Sequence, residues 1–280
     1  MLDAYELSGE ERYLEEAKEA IRATDEMNFE LVYQTNLTSW GASACLRLWK
    51  ITDDRFFLDQ ASVFFASFFH NCAMWESRLG KVAETRTFFG VTCLHNGPYL
   101  APYECYESLC AFHECLALAE EDLSDGVRML LGEFIRYGLD RGWWFYPFAL
   151  NESSLAHSPR NGEIVRDLAF PLEDLYVNGD VAGQVGQEVY GAGLGLAFST
   201  RSFHRLKDGR MLYCEYPVRD TEIGETSISF AVRGGPGASC TARILPPEGA
   251  TVKVGKKQAD AASFQVPVGS KVEVAWAREG

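Results

Sequence analysis

The spacing of its helical segments constrains this chain more than any single motif. Residues 10–23 (EERYLEEAKEAIRA) put Tyr13, Leu14, Ala17 and Ile21 on one face with acids and a lysine opposite, the period of an amphipathic helix. Comparable patterns run from about Thr38 to Ile51, Asp54 to His70, Tyr103 to Ala119, Asp125 to Leu139 and Val181 to His204. The last carries Gly186, Gly191, Gly193 and Gly195, which favour close packing against neighbours. Helices two and three meet in ITDD and helices four and five in EEDLS, whereas residues 24–37, 71–102 and 140–180 are long, aromatic and polar. With consecutive helices antiparallel, the tight turns gather at one end of a bundle and the long connections at the other. Long ordered loops at one end of a rigid scaffold are where binding and chemistry are usually placed.

An internal repeat supports this reading. At an offset of 44, YELSGEERYLEEA (5–17) lies over WKITDDRFFLDQA (49–61), pairing Tyr5 with Trp49, Leu7 with Ile51, Ser8 with Thr52, Tyr13 with Phe57, Leu14 with Leu58 and Ala17 with Ala61. One helical hairpin per such period predicts a repeated α-hairpin array; chance likeness of two amphipathic helix starts is the alternative. After Leu206 the pattern changes to short β-branched or alternating runs, LYCEYPVRD, SISFAVRG, SCTARILP, ATVKVG and KVEVAWAR, separated by Gly, Pro and Asp. These predict a small antiparallel sheet or sandwich domain at about 209–280, after a helical region at 1–208.

Paired helices with tight turns at one end and long loops at the other, the L-x-x-[YW]-x-x-[ST]-x-[ED] junction into [YF]-L-x-x-A, and the C-terminal β module together resemble the six-hairpin (α/α) toroid superfamily. Its members include uronidases, N-acylglucosamine epimerase relatives and toroidal polysaccharide lyases. The resemblance covers residues 1–208 as architecture, with a tail similar to the β domains appended in many members. It implies a mainly α fold: a toroid whose inner ring is formed by alternate helices, with the substrate cleft at their N-terminal ends. Six helices make half such a ring. LDAYELSG reads as the end of a helix already under way, which implies completion by a further segment, a partner chain or a second copy.

On that arrangement the N-terminal segments of helices two, four and six face one cleft. The first, VYQTNLTSWG, offers Tyr33, Gln34, Asn36 and Trp40; Asn36 or Thr38 reads equally as an N-cap, and Trp40 as a sugar-stacking platform or a core ring. The second, CLHNGPYLAPYECYESLC, brings His95, Asn96, Tyr99, Tyr103, Glu104 and Glu107 within thirteen residues. Glu104 and Glu107, three residues apart, share a helix face, where mutual repulsion suits one of them to general-acid work; acids are also simply favourable in a first helical turn. His95, in a loop, is a better proton-transfer candidate than His113, which reads as a core histidine. The third, GDVAGQVGQEVYGAG, sets Gln184, Gln187, Glu188 and Tyr190 on a small apolar segment, where polar groups need partners if buried.

In the 140–180 connection Trp143, Trp144 and Tyr146 suit the wall of a carbohydrate cleft, and Arg160 or Arg166, like Arg86 in the 71–102 loop, suits a uronate carboxylate; burial of the aromatics to hold the loop is the plainer reading. The catalytic set expected is Glu104, Glu188, His95 and Tyr190. The binding set is Trp40, Asn96, Tyr99, Tyr103, Glu107, Trp143, Trp144, Arg166 and Gln187. Three functions stay open: a glycoside hydrolase acting on an oligosaccharide or uronide, a uronate lyase or epimerase working through Tyr and His, and a noncatalytic carbohydrate-binding or assembly module. The separation of the two carboxylates decides the first, about 5 Å for retention and roughly 6.5–9.5 Å for inversion.

Charge narrows the partners. The chain has 40 Asp and Glu against 26 Lys and Arg, and residues 209–280 hold only 8 acids against 9 bases, so residues 1–208 carry a net −15. No basic run interrupts this, which disfavours nucleic acid and anionic membrane surfaces. No uninterrupted apolar stretch of about 18 residues and no basic-then-apolar leader occurs, so a soluble, cytoplasmic setting is expected. The eight cysteines lack CxxC spacing and read as buried reduced thiols; Cys105, Cys110 and Cys115, five apart, turn about 140° on a helix and do not converge on one metal. Neither cofactor nor metal is expected. GxxxxGK[ST], GxSxG and HExxH are absent, and GAGLG at 191–195 lies within a helical pattern.

Overall fold

A computed structural model describes residues 1–31, 35–76, 87–91, 102–137, 153 and 201–276. The chain divides into two compact units: Met1–Asp122 with Asp140–Gly193, and Leu123–Leu139 with Leu194–Gly280. Helices fill the N-terminal part and two antiparallel sheets the C-terminal part.

In the first unit, α1 (Leu2–Ser8), α2 (Glu11–Arg22), α3 (Thr35–Thr52), α4 (Arg55–His70) and α5 (Pro102–Ala119) follow the expected order, with a 3-10 turn at Asn28–Leu31. α3 starts three residues earlier than the periodicity suggests, because Thr35 and Asn36 find partners on α5. The alternation of turn lengths begins one hairpin sooner, at the tight α1–α2 turn. Residues 71–102, expected as a connection without elements of its own, contain an antiparallel pair, β1 (Cys72–Glu76) with β2 (Thr87–Val91), in which Met74 sits opposite Phe89.

The repeat is present atom by atom. Gly9 and Asp53, 44 residues apart, both end a helix in the left-handed region, at φ 70° and 55°. The Gly9 N–H donates to the Tyr5 carbonyl at 2.7 Å, and the Asp53 N–H to the Trp49 carbonyl at 2.8 Å. Ser8 Oγ donates to the Ala4 carbonyl at 2.6 Å and Thr52 Oγ1 to the Leu48 carbonyl at 2.7 Å; the same oxygens accept from the N–H of Glu10 and of Asp54. A hydroxyl one residue before the left-handed position thus closes the first helix and opens the second. Asp54 goes further, its carboxylate capping α4 at the Phe56 N–H. Leu2, Leu14, Ala17, Leu48 and Phe57 form a buried cluster joining the two hairpins, and Arg47 ties α3 to Asp3 and Glu6 of α1.

α3 crosses α4 at Gly41, where the Phe64 ring fills the place of a side chain. Phe112 of α5 meets Phe68 of α4 edge to face, centroids 4.7 Å apart. Cross-helix bonds from Thr35, Asn36, Ser39 and Ser43 reach Glu104, Glu107, Ser108 and Glu114. The residue numbers rise together on both helices, so α3 and α5 run parallel, side by side, with their N-terminal ends at the same end.

The second unit combines α6 (Asp125–Arg136) with β3 (Phe203–Arg205), β4 (Met211–Cys214), β5 (Val218–Ile223), β6 (Ser227–Val232), β7 (Ser239–Leu245), β8 (Ala250–Val254), β9 (Lys257–Ala259), β10 (Phe264–Pro267) and β11 (Val272–Trp276). The sheets have orders β10-β7-β4-β3 and β5-β6-β11-β8-β9. Along β6 and β11 every second residue is buried, the period of a strand with one face on a core. The buried faces of both sheets meet in one cluster that includes Leu212, Ile244 and Val266 from one and Phe230, Val252 and Val274 from the other.

The expected sixth helix is corrected at its end. Phe203–Arg205 pairs with Met211–Tyr213 as β3, and the Phe203 and Tyr213 rings lie 5.1 Å apart, so this terminus serves the sheet. The remainder of that prediction, from Val181 to Thr200, lies outside the described residues. α6 ends at Arg136 rather than Leu139 and packs within the second unit: Tyr216 lies against Gly132 and against Gly234, where a Cβ would stand 3.1 Å from its ring, and donates a hydrogen bond to Glu133. Arg136 stands 3.3 Å from Glu215, which also accepts from the Thr241 N–H at 2.6 Å. Burial opposes the charge on Arg136, yet Glu215 and Glu133 outweigh it and raise its pKa.

Cys45, Cys72, Cys105, Cys110, Cys115, Cys214 and Cys240 are free thiols. Burial raises the pKa of Cys45 and Cys115, which makes them poor nucleophiles. Among the described residues, no helix is long and apolar enough to cross a membrane.

Candidate functional site

Four of the expected site residues fall within the described structure: Trp40 on α3, and Tyr103, Glu104 and Glu107 in the first turns of α5. His95, Asn96, Tyr99, Trp143, Trp144, Arg166, Gln187, Glu188 and Tyr190 lie outside it.

The described part of the site is the seam where the N-terminal turns of α3 and α5 meet. Glu104 is 3% exposed. Its Oε2 accepts both the Thr35 N–H at 3.2 Å and the Thr35 Oγ1 hydroxyl at 2.8 Å. The first N–H groups of a helix have no partner within it, and the helix dipole favours negative charge there, so Glu104 completes the start of α3 from a neighbouring element. Glu107, on the same face of α5 as the sequence indicated, accepts from Asn36 Nδ2. Deeper in, Ser39 Oγ lies 3.3 Å from Ser108 Oγ and donates to the Asn36 carbonyl, while Ser108 Oγ donates to the Glu104 carbonyl at 2.6 Å. Ser43 Oγ donates to Glu114 at 2.6 Å. Trp40, half-buried, is one turn beyond Asn36.

The N-cap reading of Asn36 and Thr38 does not hold. Asn36 sends its amide across to α5, and Thr38 Oγ1 contacts the Leu31 carbonyl at 3.3 Å. Thr35 is the site residue that the sequence reading does not name; Asn36 is named there at the helix start, without its partner on α5. The signal was present as the polar stripe Asn36, Ser39 and Ser43, at helical spacing on one face of α3. One atom of the stripe stands out: Asn36 Oδ1 is buried and has no hydrogen-bond partner among the described residues.

Chemically, this seam brings two carboxylates and an amide together at the N-terminal ends of two parallel helices, groups able to hydrogen-bond with hydroxyl groups and to take part in proton transfer. Among the described residues no group of three or more His, Cys, Asp and Glu could hold a metal ion. On the second unit, a groove of about 540 Å³ crosses the outer face of β5, β6 and β11, lined by Glu222, Ser227, Ser229, Lys271 and Glu273. It has no aromatic platform. No protein-family model matches the chain, and no curated protein matches it.

Proposed function

We propose that the chain is a carbohydrate-active enzyme built on an (α/α) hairpin array: a glycoside hydrolase acting on an oligosaccharide or uronide, with Glu104 and Glu188 as its acid/base pair. In this reading His95 and Tyr190 assist proton transfer. Asn96, Tyr99, Tyr103, Glu107, Gln187 and Arg166 orient the sugar, and Trp40, Trp143 and Trp144 stack on it. In this reading the array is part of an (α/α) toroid.

The observation that carries the proposal is the placement of Glu104: buried, held by two hydrogen bonds from Thr35, at the paired N-terminal ends of two parallel helices. A carboxylate that works in acid/base catalysis needs a fixed position, and the first turn of α3 supplies the fixing. A second reading is favoured by the rungs that continue down the seam to Ser43 and Glu114: the polar pairs then only hold α3 to α5.

Hydrolysis of a uronide-containing oligosaccharide panel separates the two. In the enzyme, Glu104→Gln keeps an oxygen for Thr35 to donate to and abolishes turnover; as packing, the same change alters melting alone. A product absorbing in the near ultraviolet would mark elimination, hence a lyase, because only that reaction creates the unsaturated uronate.

A further inference from the structure

We propose that Asn36 reads a hydroxyl group of the carbohydrate, its Oδ1 accepting the hydrogen bond that the folded chain leaves unmade; this rests on the carbohydrate reading of the same site. Asn36 is 5% exposed, its Nδ2 donates to Glu107, and its Oδ1 is buried without a partner. A buried acceptor left unpaired is unfavourable unless another group supplies the donor. Glu107 fixes which end of the amide is unpaired, because turning the amide over would set its oxygen against a carboxylate oxygen.

Among the described residues, the neighbouring donors are engaged. Both Thr35 donors go to Glu104, the Ser108 hydroxyl to the Glu104 carbonyl and the Ser39 hydroxyl to the Asn36 carbonyl. The missing group is a donor from outside the seam. Because Oδ1 is closed to solvent in the free chain, binding includes an opening step, which slows association.

The test is calorimetric binding of a uronic-acid disaccharide and its singly deoxygenated analogues to the full chain. The native chain should bind one analogue about tenfold more weakly, the loss of one neutral hydrogen bond. Asn36→Ala should bind the parent sugar that much more weakly and no longer distinguish that analogue. Asn36→Asp combined with Glu107→Gln reverses the cross-helix bond, keeps an acceptor, and should restore the discrimination; this pair carries the test if Asn36→Ala does not fold. Equal discrimination in the native chain and Asn36→Ala, or its loss in the reversed pair, overturns the inference and leaves the carbohydrate reading standing. Binding of no sugar by the native chain overturns both.

Discussion

Gly41 lies where α3 crosses α4, and a Cβ built on it would stand 2.4 Å from the Phe64 ring. Alanine at a helical position ordinarily gains about 1 kcal/mol over glycine, but forcing a buried ring aside costs roughly 1–3 kcal/mol. Gly41→Ala should therefore fail to stabilise the chain and should destabilise it by up to about 2 kcal/mol, read by thermal or urea unfolding. Gly126→Ala, in the exposed first turn of α6 with nothing within 4 Å, should stabilise it by up to about 1 kcal/mol. Equal responses would show that α3 and α4 do not approach this closely. His204 gives a pH dependence. Burial lowers its pKa, a backbone bond to Arg201 only partly offsets this, and its Nε2 has no partner. The unfolded chain, at an imidazole pKa of about 6.5, then binds the proton more readily than the folded one. Stability is full above that value and falls as pH drops through the unfolded pKa toward the lower folded pKa. The melting temperature should decline as the pH falls below about 6.5, and His204→Gln should flatten that decline. An unchanged slope would show that His204 does not contribute. The sequence told little about these two residues: Gly41 reads as one small residue among many, and His204 was assigned to a helix.

The hairpin is the element that organises the first unit, and its turn is specified by two residues. In the α1–α2 copy the left-handed position is Gly9; in the α3–α4 copy it is Asp53, an L-residue in a conformation that costs such residues roughly 1–2 kcal/mol. Gly9→Ala should destabilise by about 1 kcal/mol, and Asp53→Gly should be neutral or stabilising by up to about 1 kcal/mol. Opposite responses at positions 44 apart, followed by thermal unfolding, check that the two turns are one design; destabilisation by both would show that they are not. This element was legible in the sequence, because a turn is encoded locally by Ser-Gly-Glu and Thr-Asp-Asp between amphipathic runs. The β1–β2 hairpin was not, because its strands pair across residues 77–86 and their periodicity is too short to separate from a loop. β3 was missed for a related reason: Phe203 and His204 continue a helical pattern, and only the partner strand Met211–Cys214 decides otherwise.

At the scale of the molecule, helices followed by sheets could be read from the change of period near Leu206, although the sheet begins at Phe203 and α6 groups with it. Local pattern reports the type of an element; which neighbour covers it depends on contacts distant in sequence, such as Tyr216 against Gly132 and Gly234. The same holds for the candidate site. The shared face of Glu104 and Glu107 followed from helical spacing, but their partners Thr35 and Asn36, some 70 residues away, followed only from the parallel packing of α3 and α5. The proposed activity rests on that juxtaposition, and turnover by the Glu104→Gln chain tests it most directly. With a uronide-containing oligosaccharide panel, the account predicts that the native chain releases reducing ends without forming an unsaturated product. Glu104→Gln should lower that rate at least about 100-fold while melting at nearly the native temperature. Native turnover undiminished in Glu104→Gln, or no turnover of any glycoside by the native chain, would contradict it.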